Sequence, residues 1–203
     1  MDFMAIYNYC DIIQSDLFEG IHRCDLSPEA LNWCNVTVLA TLSLPMADPI
    51  RTRNLYVSKQ LRAPLYFMQQ YVFAKMEGLK HLEPKTKMLM YSTHDWTVAQ
   101  SELFFNAENG GFLAMPFSSY ITLELHSDYD LGFELPSLEQ FWVEVRFNGL
   151  LLDFEGSCEE PTKCNFVEFV DMLDYEKGYI SSKTHYVDEC SAKVDNGKTW
   201  FMQ

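Results

Sequence analysis

Lys87-Met88-Leu89-Met90-Tyr91-Ser92-Thr93-His94-Asp95-Trp96-Thr97-Val98 is the stretch on which the fold turns. Lys87 to Ser92 is a short apolar run with no alternation, which suits a strand buried on both faces in the middle of a sheet. The run stops at Thr93-His94-Asp95, and Trp96 to Phe105 reads as a helix, with Val98, Leu103 and Phe105 among its apolar positions. A strand leading into a helix in this way sets His94 and Asp95 at the strand's carboxyl end, where open α/β sheets bind their ligands. The helix start beyond them offers free N–H groups to an anion. A plainer reading stands beside this one: Asp95 caps the helix, and His94 satisfies a nearby carbonyl.

Upstream of this stretch the chain reads as helical. Phe3, Ile6, Tyr7, Cys10, Ile13 and Leu17 recur at helical spacing over residues 3–18, and residues 19–26 read as a loop. Ser27-Pro28-Glu29 is a helix start, with a capping hydroxyl, a proline at the first helical position and an acid on the positive end of the dipole. That helix is expected to run to about Leu44, before Pro45. A long amphipathic stretch follows from Arg51 to about Met76, and Pro64 within it predicts a kink or a break.

Downstream, Tyr120 to His126 alternates, with Ile121, Leu123 and Leu125 on one face and Thr122, Glu124 and His126 on the other. Phe141, Val143, Val145 and Phe147 alternate with Trp142, Glu144 and Arg146. Asn148-Gly149 then signals a type I′ hairpin leading into a strand over 150–154. Phe166, Phe169, Val170 and Leu173 return to helical spacing, and the tail from Tyr186 is polar and irregular. A single buried strand at 87–92 cannot form a sheet alone. The expectation is therefore the latter part of a larger α/β domain, with residues 1–82 as a partial helical subdomain and 83–203 as the carboxyl-terminal part of the α/β unit.

Composition narrows the function classes. The 203 residues carry 29 acidic against 15 basic side chains, a formal net charge of -14. With 48% apolar and 15% aromatic residues there is enough material for a packed core, which excludes disorder as the main state. The acidity argues against nucleic acid as a partner, because phosphate binding needs a basic footprint, and against docking on an anionic membrane surface. No apolar run is long enough to span a bilayer.

The six cysteines, at 10, 24, 34, 158, 164 and 190, include no Cys-x-x-Cys pair, and no histidine lies at zinc-finger spacing, so no metal site is expected. Cys158 and Cys164 bracket a short polar loop with Pro161 and form a local candidate disulfide. Cys24 and Cys34 are a weaker candidate pair around a helix start, and the full set of connectivities stays open. The sequon Asn35-Val36-Thr37 fits a glycoprotein in a secretory setting, although it falls inside an expected helix. Met1-Asp2-Phe3-Met4 does not resemble a signal peptide. Either the thiols are free and the protein is cytosolic, or residue 1 is not the natural start.

The string Met88-Leu89-Met90-Tyr91-Ser92-Thr93-His94-Asp95, followed by Thr97-Val98, resembles the Ser-x-His-Asp segment of the histidine acid phosphatase family. This is branch two of the histidine phosphatase superfamily and includes prostatic and lysosomal acid phosphatases. The downstream order is similar too: Pro116 in a loop, the strand at 120–126, the strand pair at 141–154, Gly156-Ser157-Cys158, Cys164, an aromatic helix at 166–173 and a late Cys190. The similarity is good over 85–190 and weak over residues 1–80.

The resemblance implies an α/β fold, a three-layer phosphoglycerate mutase-like sandwich with a helical subdomain, of which the amino-terminal part of the sheet is missing here. It implies a secreted or lysosomal hydrolase that acts on small phosphomonoesters or binds phosphate, without a cofactor; a homodimer remains open. His94 would hydrogen-bond the phosphoryl oxygens and offset their charge. Asp95 would be the general acid that protonates the leaving group, and a phosphohistidine intermediate would divide the reaction in two.

The family's nucleophile motif, Arg-His-Gly-x-Arg-x-Pro, is absent. His22, His81, His126 and His185 lack its context, and Arg23, Arg51, Arg53, Arg62 and Arg146 match none of its arginines. Trp96 stands where a small polar residue is usual. The expectation is a fragment, an incomplete gene model or a degenerate copy, inactive or nearly so as it stands. The rival readings are a non-catalytic phosphatase-like binding protein and an unrelated secreted binding module stapled by disulfides.

Other features take plainer readings. Glu124 and Arg146 are expected to form a surface ion pair across the sheet. Phe141 and Phe147 are assigned to the core, while Trp142, on the opposite face, is open to solvent or covered by a helix. A sugar-binding platform of Phe141, Trp142, Phe147 and Trp200 is the lesser alternative. Asp128, Asp130, Glu134 and Glu139 are read as a solvated face rather than a calcium site.

Overall fold

The computed structural model describes residues 3–21, 25–47, 51–105, 115–128, 135–154 and 158–173, with side chains throughout except at 3–4, 42–47 and 51–56. Five α-helices and four strands occur among them. Helix α1 spans Phe3–Phe18, α2 Pro28–Ala47 and α3 Arg51–Met76. Helix α4 spans Asp95–Phe105, and α5 spans Phe166–Asp171. The strands are β1, Ile121–Ser127; β2, Phe141–Phe147; β3, Leu150–Leu151; and β4, Cys164–Asn165.

The helix signals act as their chemistry predicts. The Ser27 Oγ accepts from the Ala30 N–H at 3.2 Å, the Ser27 carbonyl accepts from Leu31 N–H, and Pro28 opens α2. Neither internal proline ends its helix. Helix α2 continues through Pro45 to Ala47, and α3 continues through Pro64. A proline in a helix interior removes one backbone hydrogen bond. At Pro64 the flanking Leu61 and Leu65 are both buried in the core, and that packing holds the helix together across the gap.

The sheet is antiparallel throughout. Its order is β1-β2-β3, and β4 also pairs with β2. The register sets Leu123 opposite Val145, Glu124 opposite Glu144 and His126 opposite Trp142. Phe141, Val143, Val145 and Phe147 of β2 are buried, and the residues between them are half-buried, so the alternation read from the sequence corresponds to two real faces. Against the buried face pack Val57, Leu61, Leu65 and Val72 of α3, Val98, Phe104 and Phe105 of α4, and Phe166 and Phe169 of α5. The result is an α+β arrangement of helices with an antiparallel sheet. It lies within the broad helix-and-sheet class expected from the sequence, but no parallel strand pair occurs among the described residues.

The hairpin turn has the expected chemistry. Asn148 and Gly149 sit at φ 49° and 85°, joining Phe147 to its partner Leu150. Asn148 also ties the turn to the entry of β1: its Oδ1 accepts from Tyr120 N–H at 2.9 Å, and its backbone N–H donates to the Tyr120 carbonyl. A Cβ at Gly149 would meet only the Tyr120 hydroxyl at 3.5 Å, an ordinary contact. The backbone conformation, not space, therefore demands glycine. Gly149→Ala should cost about 1–2 kcal/mol, measured by urea unfolding.

A second, smaller apolar cluster joins α1 to α2. Cys10, Ile13, Cys34 and Val38 form its buried centre, with Ile6, Tyr7, Leu26, Leu31, Trp96 and Met115 against it. Cys10 and Cys34 are disulfide-bonded, with Cα atoms 4.7 Å apart. This corrects the Cys24–Cys34 pairing considered from the sequence, and Cys24 itself lies outside the described residues. The other expected bridge, Cys158–Cys164, is present. Cys190 and Trp200 lie outside the described residues, as do residues 129–134 of the acidic stretch.

Candidate functional site

The segment before α4 departs most from expectation. Residues 86–94 carry no regular secondary structure, and every one of them is exposed. Met88 is 76% and Met90 84% accessible, and Tyr91 is also exposed. The expected buried strand at 87–92 is therefore corrected to an exposed, irregular apolar segment that pairs with no strand among the described residues. The sheet of the described residues consists of β1 to β4 alone, and neither core cluster takes in a side chain of 87–92.

His94 and Asp95 end this segment, and both are exposed. The His94 carbonyl accepts from the N–H groups of Thr97 at 3.0 Å and Val98 at 3.3 Å, which opens α4. The Asp95 Oδ1 accepts from Trp96 N–H at 2.8 Å. In this structure both residues thus do the work of a helix start. The His94 imidazole has no hydrogen-bond partner among the described residues.

Trp96 follows, half-buried, and it packs against the α1–α2 cluster rather than standing at a pocket mouth. Its indole N–H donates to the Tyr7 hydroxyl. Burial pushes the Tyr7 phenol up, the Trp96 hydrogen bond opposes this, and the charges of Asp11 and Asp95 add to the rise. Asp11 is likewise pushed above the ordinary value of 3.8, first by burial and then by the charge of Asp95. Tyr7 and Asp11, one turn apart on α1, are therefore neighbours of Asp95 that the sequence reading missed. Their helical spacing was legible, but their partner helix was not.

These neighbours decide what the arrangement can do. A phosphoryl group carries negative charge, and gripping it requires cations or several aimed N–H donors. Here the groups around Asp95 are a second carboxylate, a phenol and the single backbone N–H of Trp96. As folded, the His94–Asp95 end of α4 has no cationic clamp among the described residues.

A second polar constellation lies on the open face of the sheet. Glu124 and Glu144 are directly opposite one another, an arrangement that repels unless a cation intervenes. Arg146 intervenes: its Nη2 donates to the Glu144 Oε2 at 2.5 Å, and its Nε lies 3.5 Å from the Glu124 Oε2. The Glu124–Arg146 ion pair read from the sequence is thus present, on a diagonal, with Glu144 as the nearer partner.

Around this pair the polar groups are closely knit. The His126 Nε2 is 3.2 Å from Glu124 Oε2 and 3.8 Å from Glu144 Oε2. The His126 ring stacks on Trp142 at 5.5 Å and 11°, and the Lys163 ammonium lies over the same indole, 4.1 Å from its centroid. Burial alone would push the Glu144 carboxyl up, but hydrogen bonds from Arg146 and Trp142, with the charges of His126 and Arg146, hold it below 4.5. A carboxyl depressed in this way stabilises the fold above its unfolded value, and the contribution disappears as pH falls through the lower folded value.

Asn35 is exposed on α2, and its Oδ1 accepts from Gln14 Nε2 at 2.7 Å. Thr37 of the same sequon is buried, with its hydroxyl donating to the Trp33 carbonyl. The folded helix therefore holds the sequon in a closed form beside the Cys10–Cys34 bridge. No described helix is long and apolar enough to cross a membrane. No protein-family model, curated protein or solved structure matches the chain.

Proposed function

We propose that this chain supplies one wall of a histidine acid phosphatase-like phosphomonoesterase of the secretory or lysosomal route, within a phosphoglycerate mutase-like α/β domain. In it His94 binds the phosphoryl oxygens, and Asp95 protonates the leaving alkoxide. The nucleophilic histidine and the arginine clamp come from another polypeptide segment. The observation that carries this reading is the exposed apolar segment ahead of α4. Met88 and Met90 alternate with Leu89 and Tyr91, so a strand here would present apolar side chains on both faces. Such a strand is stable only between neighbours with both faces of the sheet covered. His94 and Asp95 stand at its end, on the first turn of a helix.

The same geometry accounts for the expected inactivity of the chain alone. With no cationic clamp among the described residues, the carboxylates of Asp11 and Asp95 disfavour a dianionic substrate. Alone, the chain should hydrolyse a chromogenic phosphomonoester at acid pH no faster than buffer. Co-expression with the amino-terminal half of an acid phosphatase, carrying Arg-His-Gly-x-Arg-x-Pro, should restore turnover. Asp95→Asn in that complex should lower it by about 10²–10⁴. Failure of the complex to turn over, or full activity in the Asn variant, would count against the reading. The two disulfides favour a second reading, a secreted stapled binding module in which His94 and Asp95 serve only to start α4.

A further inference from the structure

We propose that Glu124, His126 and Glu144 form a binding site for a first-row divalent cation of the zinc or cobalt kind on the open face of the sheet. One ligand atom from each residue lies within 4.8 Å of the others. The imidazole nitrogen stands 3.2 Å and 3.8 Å from the two carboxylate oxygens. An ion held about 2.1 Å from its ligands places neighbouring ligand atoms roughly 3.0–3.5 Å apart, so both imidazole–carboxylate spacings need only small shifts, and the carboxylate pair closes from within 4.8 Å. An imidazole with two carboxylates selects zinc-like ions over calcium or magnesium, which prefer oxygen alone.

The ligands are held by the fold rather than by chance surface rotamers. Glu124 and His126 point to the same face of β1 because they are two residues apart, and β2 sets Glu144 opposite Glu124. The stack of His126 on Trp142, with Lys163 over the same indole, fixes the plane of the imidazole. Thr122 donates to the other oxygen of Glu124 at 2.9 Å, and the Trp142 indole donates to the other oxygen of Glu144 at 3.4 Å. Each carboxylate thus has an outer hydrogen bond that leaves one oxygen for the ion. The remaining acid–sulfur cluster, Cys158, Cys164 and Glu168, is not comparable, because its two sulfurs are bonded to each other.

Arg146 is the resting counter-ion of this site. It occupies the gap between the two carboxylates and is partly exposed, so it can swing into solvent when a divalent ion enters. The chain's net charge of -14 raises the local concentration of cations. This role makes a signed prediction that adventitious binding to surface histidines does not share. Removing Arg146 should tighten binding, while removing His126 should weaken it.

The test is a titration of the disulfide-intact chain with cobalt(II) chloride, followed by visible absorption and equilibrium dialysis, with zinc competition. His126→Asn should lower affinity by at least about tenfold. Arg146→Met should raise it by roughly fivefold, a gain that cannot come from misfolding. Unchanged binding in the Asn variant, or no gain in the Met variant, would overturn the proposal and leave an ion-pair network only.

Discussion

Phe169→Ala should lower the stability of the fold by about 3–5 kcal/mol, read as a fall in the urea midpoint at unchanged slope. Phe169 is fully buried on α5. Its ring stacks on Phe105 of α4 at 6.1 Å and meets Phe154 edge-on at 5.9 Å, while Phe105 and Phe154 also meet edge-on. The three rings join the last described helix, the helix that begins at Asp95, and the chain leaving the hairpin. Truncating the central member removes apolar area and opens a cavity between two rigid rings that cannot collapse into it. Against a total stability of about 5–15 kcal/mol, this is a large fraction. Phe169→Leu should cost much less, under about 1.5 kcal/mol, since most of the volume is kept. Val167→Ala on the exposed side of α5 should stay within about 0.5 kcal/mol. Equal effects from Phe169→Ala and Val167→Ala would mean that α5 does not dock as described.

Those three rings also mark what a sequence can and cannot disclose. The spacing of Phe166 and Phe169, the alternation from Phe141 to Phe147 and the Asn148-Gly149 turn are local patterns, and each corresponds to a local structure. Apolar runs are less informative, because burial depends on what the rest of the chain brings. Val143 and Val145 are buried under α3, α4 and α5, whereas the equally apolar Met88–Tyr91 joins neither core cluster of the described residues. Pro64 does not break α3 for a related reason: the local cost of a missing hydrogen bond is offset by the packing of Leu61 and Leu65 on either side.

The candidate sites were legible in part for the same reasons. His94 and Asp95 stood out by their place before a helix, and they do start one. Asp11 and Tyr7 were invisible because α1 meets α4 only in three dimensions. On the sheet, alternation showed that Glu124 and His126 share a face and that Glu144 and Arg146 share another. The two faces were expected to meet through a Glu124–Arg146 pair, but alternation did not show that Glu144 lies opposite Glu124 and beside His126. That follows from the β1–β2 register, and no tight turn links these strands to set it. The Cys10–Cys34 bridge was hidden likewise, since Cys10 shows only as one apolar position of a helix until α2 packs on α1.

That bridge carries the second large effect. Replacing both cysteines, Cys10→Ala with Cys34→Ala, should destabilise the α1–α2 pair by about 3–4 kcal/mol, from the closure entropy of the loop it ties. The sequence separation is 24 residues, against 6 for Cys158–Cys164, whose loss should cost roughly 1 kcal/mol less on the same grounds. Alanine is the informative replacement, because both positions are buried among apolar side chains and a serine hydroxyl there would add its own desolvation cost. The main core does not include Cys10 or Cys34, so the loss should fall first on the smaller cluster. Hydrogen exchange should therefore quicken in α1 and α2 while β2 remains protected. Trp96 links the two clusters by packing on the smaller one from the first turn of α4, so its fluorescence should report the loosening before the sheet unfolds. Uniform acceleration across α1, α2 and β2 would instead mean that the two clusters unfold as one unit, and that the bridge stabilises the whole chain rather than the helical pair.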